Sequence, residues 1–165
     1  METFTINFFR HGTAEDLSNK ICLGGRSDPA LTPEGAQELR ELMETYQYPF
    51  DQKIYSSPML RCTQKADILF PDTDFEIMEE LRECDLGEFD GKPIMELKKD
   101  PKFIGWVEGK NPPPGGETSE AFGNRIACAF DDILHDMAKN HLREAAVVTH
   151  GTVIMGLFAM CGYPR

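Results

Sequence analysis

Two short stretches constrain this chain more than any others. Ile6-Asn7-Phe8-Phe9-Arg10-His11-Gly12 is an apolar, strand-like run ending in arginine, histidine and glycine. Ala145-Ala146-Val147-Val148-Thr149-His150-Gly151 repeats the pattern near the other end. A β-strand delivers its last residues rigidly to the crevice at the carboxyl edge of a parallel sheet, and a glycine there lets the chain turn or a ligand approach. One such histidine is an ordinary strand terminus. Two of them, each followed by glycine, predict neighbouring strands that build one site between them.

The chain has 165 residues, enough for one domain with a real core. No apolar run reaches the length of a membrane span. Met1-Glu2-Thr3-Phe4-Thr5 lacks the basic start and apolar core of a signal peptide, so a cytoplasmic protein is expected. Cys22, Cys62, Cys84, Cys128 and Cys161 are scattered and odd in number, which suits reduced thiols better than a disulfide framework or a zinc site. None lies in the glycine-rich loop that a cysteine nucleophile of a phosphatase needs. The formal net charge of −11 should repel nucleic acid and anionic membranes. A small anionic substrate stays compatible with it, provided that a few arginines are gathered in a recess.

Periodicity and punctuation give a coarse map. Residues 3–9 read as a buried strand and 13–31 as a loop. Thr32-Pro33 caps a helix that runs to about Tyr46, with Leu39, Leu42 and Met43 inward. Residues 53–56 form a short strand, and Ser57-Pro58 opens a helix through Leu69 with Arg61 in its first turn. A strand over 75–78, a polar ordered loop over 79–91 and one or two short helices over 94–107, broken at Pro101, follow. Asn111-Pro112-Pro113-Pro114-Gly115-Gly116 is a stiff turn. Thr118 or Ser119 caps the longest helix, to Lys139, with Phe122, Ile126, Phe130, Ile133 and Met137 on one face. Strand 145–149 and an apolar helix over 152–161 end the pattern. Alternating strands and helices predict an α/β sandwich with a mostly parallel sheet. The chain then stops at Gly162-Tyr163-Pro164-Arg165, where such sheets often add a strand; either it is naturally short or a C-terminal segment is missing.

On this map Arg10, His11, Arg61, Glu83 and His150 all approach one rim. Arginine offers a planar fork matched to phosphate oxygens. A neutral imidazole can attack phosphorus, a charged one can bond the oxygens, and a carboxylic acid can protonate a departing alkoxide. By residue type alone Glu83 competes with Glu79, Glu80, Asp85 and Glu88, and Arg61 is as readily a surface residue. His135 and His141 read as exposed and idle, and Trp106, with Phe103 nearby, as packing. No His-x-His or His-Glu-x-x-His spacing supports a metal site.

Four segments carry a resemblance: Phe9-Arg10-His11-Gly12-Thr13, Tyr55-Ser56-Ser57-Pro58-Met59-Leu60-Arg61-Cys62-Thr63-Gln64, Leu81-Arg82-Glu83 through Gly91, and Val148-Thr149-His150-Gly151. They resemble, in order, the signature segments of the histidine phosphatase superfamily, which includes the cofactor-dependent phosphoglycerate mutases. The resemblance implies a three-layer α/β sandwich with a mostly parallel central sheet, spanning 1–165 as a single domain. It implies phosphomonoester hydrolysis through a phosphohistidine at His11, with Arg10, Arg61 and His150 on the phosphoryl oxygens. Glu83 would be proton donor and then base, and no metal or cofactor would be needed. Gly24 through Thr32, Glu83 through Gly91, Asp100 through Trp106 and Pro114 through Thr118 look most like α-ribazole phosphatases of cobalamin assembly, although broad small-molecule phosphatases share several of these features.

Thr13, Cys62 and Lys65 depart from the family pattern. The compact stretch between Glu83 and His150 lacks the insertion that a mutase would use to retain its intermediate, which favours hydrolysis. The alternatives are phosphoglycerate mutase activity and a non-catalytic phospho-ligand module. The groups that would read the rest of a small phosphorylated substrate lie in loops 13–31 and 92–117, which have no readable code, and oligomeric state is not readable.

Overall fold

The computed structural model describes residues 3–14, 20–46 and 52–161. The terminal Gly162-Tyr163-Pro164-Arg165 and part of the 13–31 loop lie outside the described residues. Four parallel strands form one sheet: β1 (Thr5–Arg10), β2 (Lys53–Ser56), β3 (Glu76–Ile77) and β4 (Glu144–Thr149), in the order β1-β4-β2-β3. The predicted buried opening strand is in fact half-buried, because it is an edge strand of the sheet as described. The fully apolar closing strand β4 has neighbours on both sides and is buried from Ala145 onward. Continuous apolar sequence is what a central parallel strand requires.

Helices α1 (Pro33–Thr45), α2 (Leu60–Leu69), α3 (Ile94–Leu97), α4 (Pro101–Val107), α5 (Ser119–Lys139) and α6 (Gly151–Cys161) complete the elements named here. Successive strand side chains point to opposite faces. Val147 packs in the core that holds Ile126, Ile133 and Met137 of α5 with Val153 and Leu157 of α6. Val148 packs instead with Cys62 and Ala66 of α2 and with Phe9. Helices therefore cover both faces, and the architecture is the expected three-layer sandwich.

Capping followed the sequence in α1, where the Thr32 hydroxyl accepts from Gly35 N at 2.9 Å, and in α5, where Thr118 accepts from Ala121 N at 3.1 Å. Two local expectations fail. Leu42 is 41% exposed, because the inner stripe of α1 runs through Gly35 and Leu39, and Leu42 falls at its margin. Helix α2 starts at Leu60 rather than at Pro58, since Ser57 still belongs to the sheet, its N–H bonded to Val148 O at 2.9 Å. The polar 79–91 loop contains two 3-10 turns, Glu79–Leu81 and Gly87–Phe89. Gly87 has φ +54°, and a Cβ there would lie 2.1 Å from Pro114 O, so glycine lets the proline-rich turn dock on this loop. Trp106 packs as expected, 5.4 Å from the Phe103 ring and 5.9 Å from that of Phe89.

Ile133 is 1% exposed and Met155 is 66% exposed. Ile133→Ala should lower the unfolding free energy by about 2–5 kcal/mol, whereas Met155→Ala should change it by about 0.5 kcal/mol or less. Urea denaturation checks both; comparable losses would contradict the placement of the core.

Candidate active site

The β1–β4 ladder pairs Arg10 with Thr149, so the residues that follow, His11 and His150, leave the sheet side by side. His11 N bonds Thr149 O at 3.0 Å, and the two imidazole centroids are 5.2 Å apart. His11 Nδ1 lies 2.8 Å from Gly12 O. A carbonyl only accepts, so Nδ1 carries the proton and Nε2 keeps its lone pair. Burial pulls the His11 pKa down to about 4, against the Gly12 hydrogen bond and with help from the charges of Arg61, Arg10 and Lys65. At neutral pH this side chain is an uncharged base.

His150 is completely buried. Its Nε2 is 2.9 Å from Ser57 Oγ and 3.5 Å from Cys62 Sγ. Burial lowers its pKa to about 2, and Arg61, His11, Arg125 and Arg82 add to the shift. Burial and the neighbouring cations therefore favour the uncharged ring of His150. Ser57, read from the sequence as the opening of α2, is a residue whose place beside His150 the pattern did not reveal. Cys62 is another.

Arg61 is 0% exposed, the reverse of the usual fate of an arginine. Its Nη1 donates to Ser27 O at 3.1 Å and its Nη2 to Gly24 O at 3.4 Å, while Nε has no partner among the described residues. An unpaired buried donor costs about 1–3 kcal/mol, a cost that an anion accepting from it would remove. Two carboxylates hold the surrounding turn. Asp90 accepts from the backbone N–H groups of Gly24, Arg26 and Ser27 at 3.1, 2.8 and 3.1 Å. Asp28 accepts from Leu60 N at 2.7 Å. The sequence marked 13–31 only as a loop, and this arrangement within it was not legible there.

Arg10 is exposed, and its guanidinium lies over Gly151, where a Cβ would stand 3.5 Å from Nε. The Lys65 ammonium, on a residue only 8% exposed, donates to Arg10 O at 2.6 Å and so fixes the end of β1. Helix α6 starts at Gly151, directly after His150, and its N-terminal N–H groups add a partial positive charge to the same rim.

Glu83 is the one buried carboxylate among the described residues, at 8% exposure, which separates it from its four acidic neighbours. Burial raises its pKa, opposed by the Cys84 N–H, by the Arg61 charge and by Thr152, two residues past His150. Its Oε1 accepts from Cys84 N at 2.9 Å. Glu79 and Asp85, by contrast, form exposed ion pairs with Arg82 and Arg26. His135 is exposed, and His141 sits in a turn at φ +56°. Among the described residues no group of three or more His, Cys, Asp or Glu side chains is arranged to hold a metal ion.

A parallel sheet that sets two histidines, a buried arginine and a buried carboxyl at one rim defines a class of protein suited to handling a phosphate ester. The family model for the histidine phosphatase superfamily (branch 1) matches residues 6–163, and the chain belongs to that superfamily. Among curated relatives, it is 31% identical over 160 residues to a protein of Hydrogenobacter thermophilus provisionally named phosphoserine phosphatase 2, covering 92% of this chain and 75% of the relative. Among solved structures, a phosphoglycerate mutase from Bacillus anthracis superposes with a TM-score of 0.82 at 22% identity, covering 96% of this chain and 80% of that one. An α-ribazole phosphatase from Shigella flexneri superposes with a TM-score of 0.79 at 19% identity, covering 96% and 80%. At those identities the two structures establish the fold, which is phosphoglycerate mutase-like as expected.

The neutral imidazoles make a pH prediction. The unfolded His11 protonates near pH 6.5 and the folded one near 4, so the unfolded state binds more protons between these values. The contribution of His11 to stability is complete above pH 6.5 and declines as the pH falls toward 4. Between pH 7 and 5, His11→Gln should lose about 2 kcal/mol less unfolding free energy than the parent in urea titrations. Equal losses in both proteins would argue against a depressed His11.

Proposed function

We propose that the protein is a phosphomonoesterase that works through a phosphohistidine on His11. The observation that carries the proposal is the unprotonated Nε2 of a neutral His11, set beside His150 with ring centroids 5.2 Å apart. His11 Nε2 attacks phosphorus, a P–N bond forms and the P–O bond to the leaving group breaks. Glu83, whose protonated form burial favours, gives its proton to the departing alkoxide. Its carboxylate then takes a proton from water, which attacks phosphorus, breaks the P–N bond and releases inorganic phosphate. Arg10, Arg61 and His150 hold the phosphoryl oxygens, and the orphan Nε of Arg61 supplies one donor. The guanidiniums and the start of α6 supply the charge that magnesium supplies in other phosphoryl transfers.

The relative named for phosphoserine phosphatase activity supports hydrolysis as the outcome. For the substrate we favour α-ribazole phosphate, with the range of a broad small-molecule phosphatase as the wider form of the reading. The segments that suggest it meet in one cap beside the site: Arg26 N bonds Asp90 at 2.8 Å, Glu88 N bonds Pro114 O at 2.9 Å, and Trp106 and Phe103 lie against Phe89. A cytoplasmic location and a role in cobalamin assembly belong to the same reading, the former supported by five free cysteines. The mutase-like superposition favours one second reading, phosphoglycerate mutase activity.

His11→Ala should abolish hydrolysis of p-nitrophenyl phosphate; parental turnover in that variant would refute the mechanism. EDTA should leave the activity of the parent intact, and a loss restored by divalent metal would point to a metallohydrolase. In a panel containing α-ribazole phosphate, phosphoserine and 3-phosphoglycerate, α-ribazole phosphate should give the highest kcat/KM, with inorganic phosphate as product. Formation of 2-phosphoglycerate from 3-phosphoglycerate would favour the mutase instead.

A further inference from the structure

The proposed acid sits on a loop, and loops do not by themselves hold a side chain in place. Arg125, on the second turn of α5, supplies what this loop lacks. A guanidinium has five N–H donors in a fixed fork. All five have acceptors here. Nε donates to Glu117 Oε1 at 2.9 Å. Nη1 donates to Glu80 O at 2.6 Å and to Arg82 O at 2.9 Å. Nη2 donates to Glu117 Oε2 at 2.8 Å and to Glu83 O at 3.5 Å. Three backbone carbonyls leading into the acid are thus gathered on one cation. Glu117, which neutralises that cation, is itself tied to Asp85, two residues past the acid: Glu117 N bonds Asp85 O at 2.8 Å, and Asp85 N bonds Glu117 Oε2 at 3.3 Å. The pair is largely shielded, with side-chain exposures of 23% and 14%. The Arg125 guanidinium also stacks on Phe122, 5.2 Å from its ring centroid.

We infer that the Arg125–Glu117 pair is a positioning device for the general acid, fixing the 80–85 backbone so that the Glu83 carboxyl meets the leaving group. The inference rests on the reading of Glu83 as the acid. Arg125 bonds Glu83 only at its backbone carbonyl, so apart from its charge, which Arg125→Lys keeps, it acts on the placement of the carboxyl. Two consequences follow from the geometry. Lysine cannot replace Arg125, because a point charge with three donors cannot collect five acceptors spread around a plane. The defect should also appear where proton donation matters: in an alkyl ester, whose alkoxide leaves only with a proton, and not in p-nitrophenyl phosphate, whose phenolate leaves without one.

The test compares β-glycerophosphate with p-nitrophenyl phosphate in the parent, Glu83→Gln, Arg125→Lys, Glu117→Gln and the Glu83→Gln/Arg125→Lys double variant. Inhibition by inorganic phosphate and thermal melting are measured alongside. Arg125→Lys should lower kcat on β-glycerophosphate about tenfold or more and on p-nitrophenyl phosphate less than about threefold, with phosphate inhibition unchanged. In the Glu83→Gln background, Arg125→Lys should change either rate less than about twofold, since the group it positions has gone. Glu117→Gln, which keeps the fork and loosens only its carboxylate side, should give the same pattern at smaller amplitude and serves if Arg125→Lys does not fold. Equal losses on both esters, or losses that multiply in the double variant while Glu83→Gln alone discriminates the esters, would overturn the positioning role and leave the acid in place. Failure of Glu83→Gln itself to discriminate would overturn the acid assignment and, with it, this inference.

Discussion

The parallel pairing of β1 with β4 is the constraint on which the site depends. The ladder sets Arg10 opposite Thr149, and the next residue of each strand is a histidine. A one-residue slip would send one ring to the other face of the sheet, because side-chain direction alternates with each position. The register is held by the core on both faces: Val147 buries into the layer of α5 and α6, and Val148 into that of α2. Packing energy distributed over the whole sandwich thereby fixes the 5.2 Å spacing of two rings.

The electrostatics of the rim run against those of the whole molecule. The chain carries a formal net charge of −11, yet the groups gathered at the rim are a buried guanidinium, two neutral imidazoles and a carboxyl whose pKa burial raises. Desolvation is the leading cause of every one of these imidazole and carboxyl shifts, and it acts in opposite directions on a base and on an acid. One physical effect therefore favours the uncharged form of the imidazoles and of the carboxyl alike. The Nε of Arg61 adds a buried donor that has no partner among the described residues.

The fold was legible because its signals are local. Alternating apolar strands and amphipathic helices, Thr32 and Thr118 as caps and the Asp100-Pro101 break are all written within a few residues of where they act. The strand-end histidines were legible for the same reason. Glu83 was not separable from its acidic neighbours by residue type, because what distinguishes it is burial beside Arg61 and Thr152, a property of tertiary packing. Ser57 read as a helix opening because serine before proline usually is one; its hydroxyl meets His150 only through the β2–β4 pairing. Arg125 and Asp90 carried no signal either, since the backbone groups they bind lie 42 to 66 residues away in sequence. Residues that act on backbone groups far along the chain leave no periodicity to read.

The central claim is that the two strand-end rings act on one phosphoryl group, with His11 as the atom donor. It is tested most directly by quenching the enzyme during turnover of a 32P-labelled phosphomonoester and mapping the label by mass spectrometry. The account predicts an acid-labile, base-stable phosphoryl group on His11, formed at the rate of turnover or faster and absent from His11→Ala. A label on another residue, or steady turnover without any phosphoenzyme when hydrolysis of the intermediate has been slowed by Glu83→Gln, would contradict it.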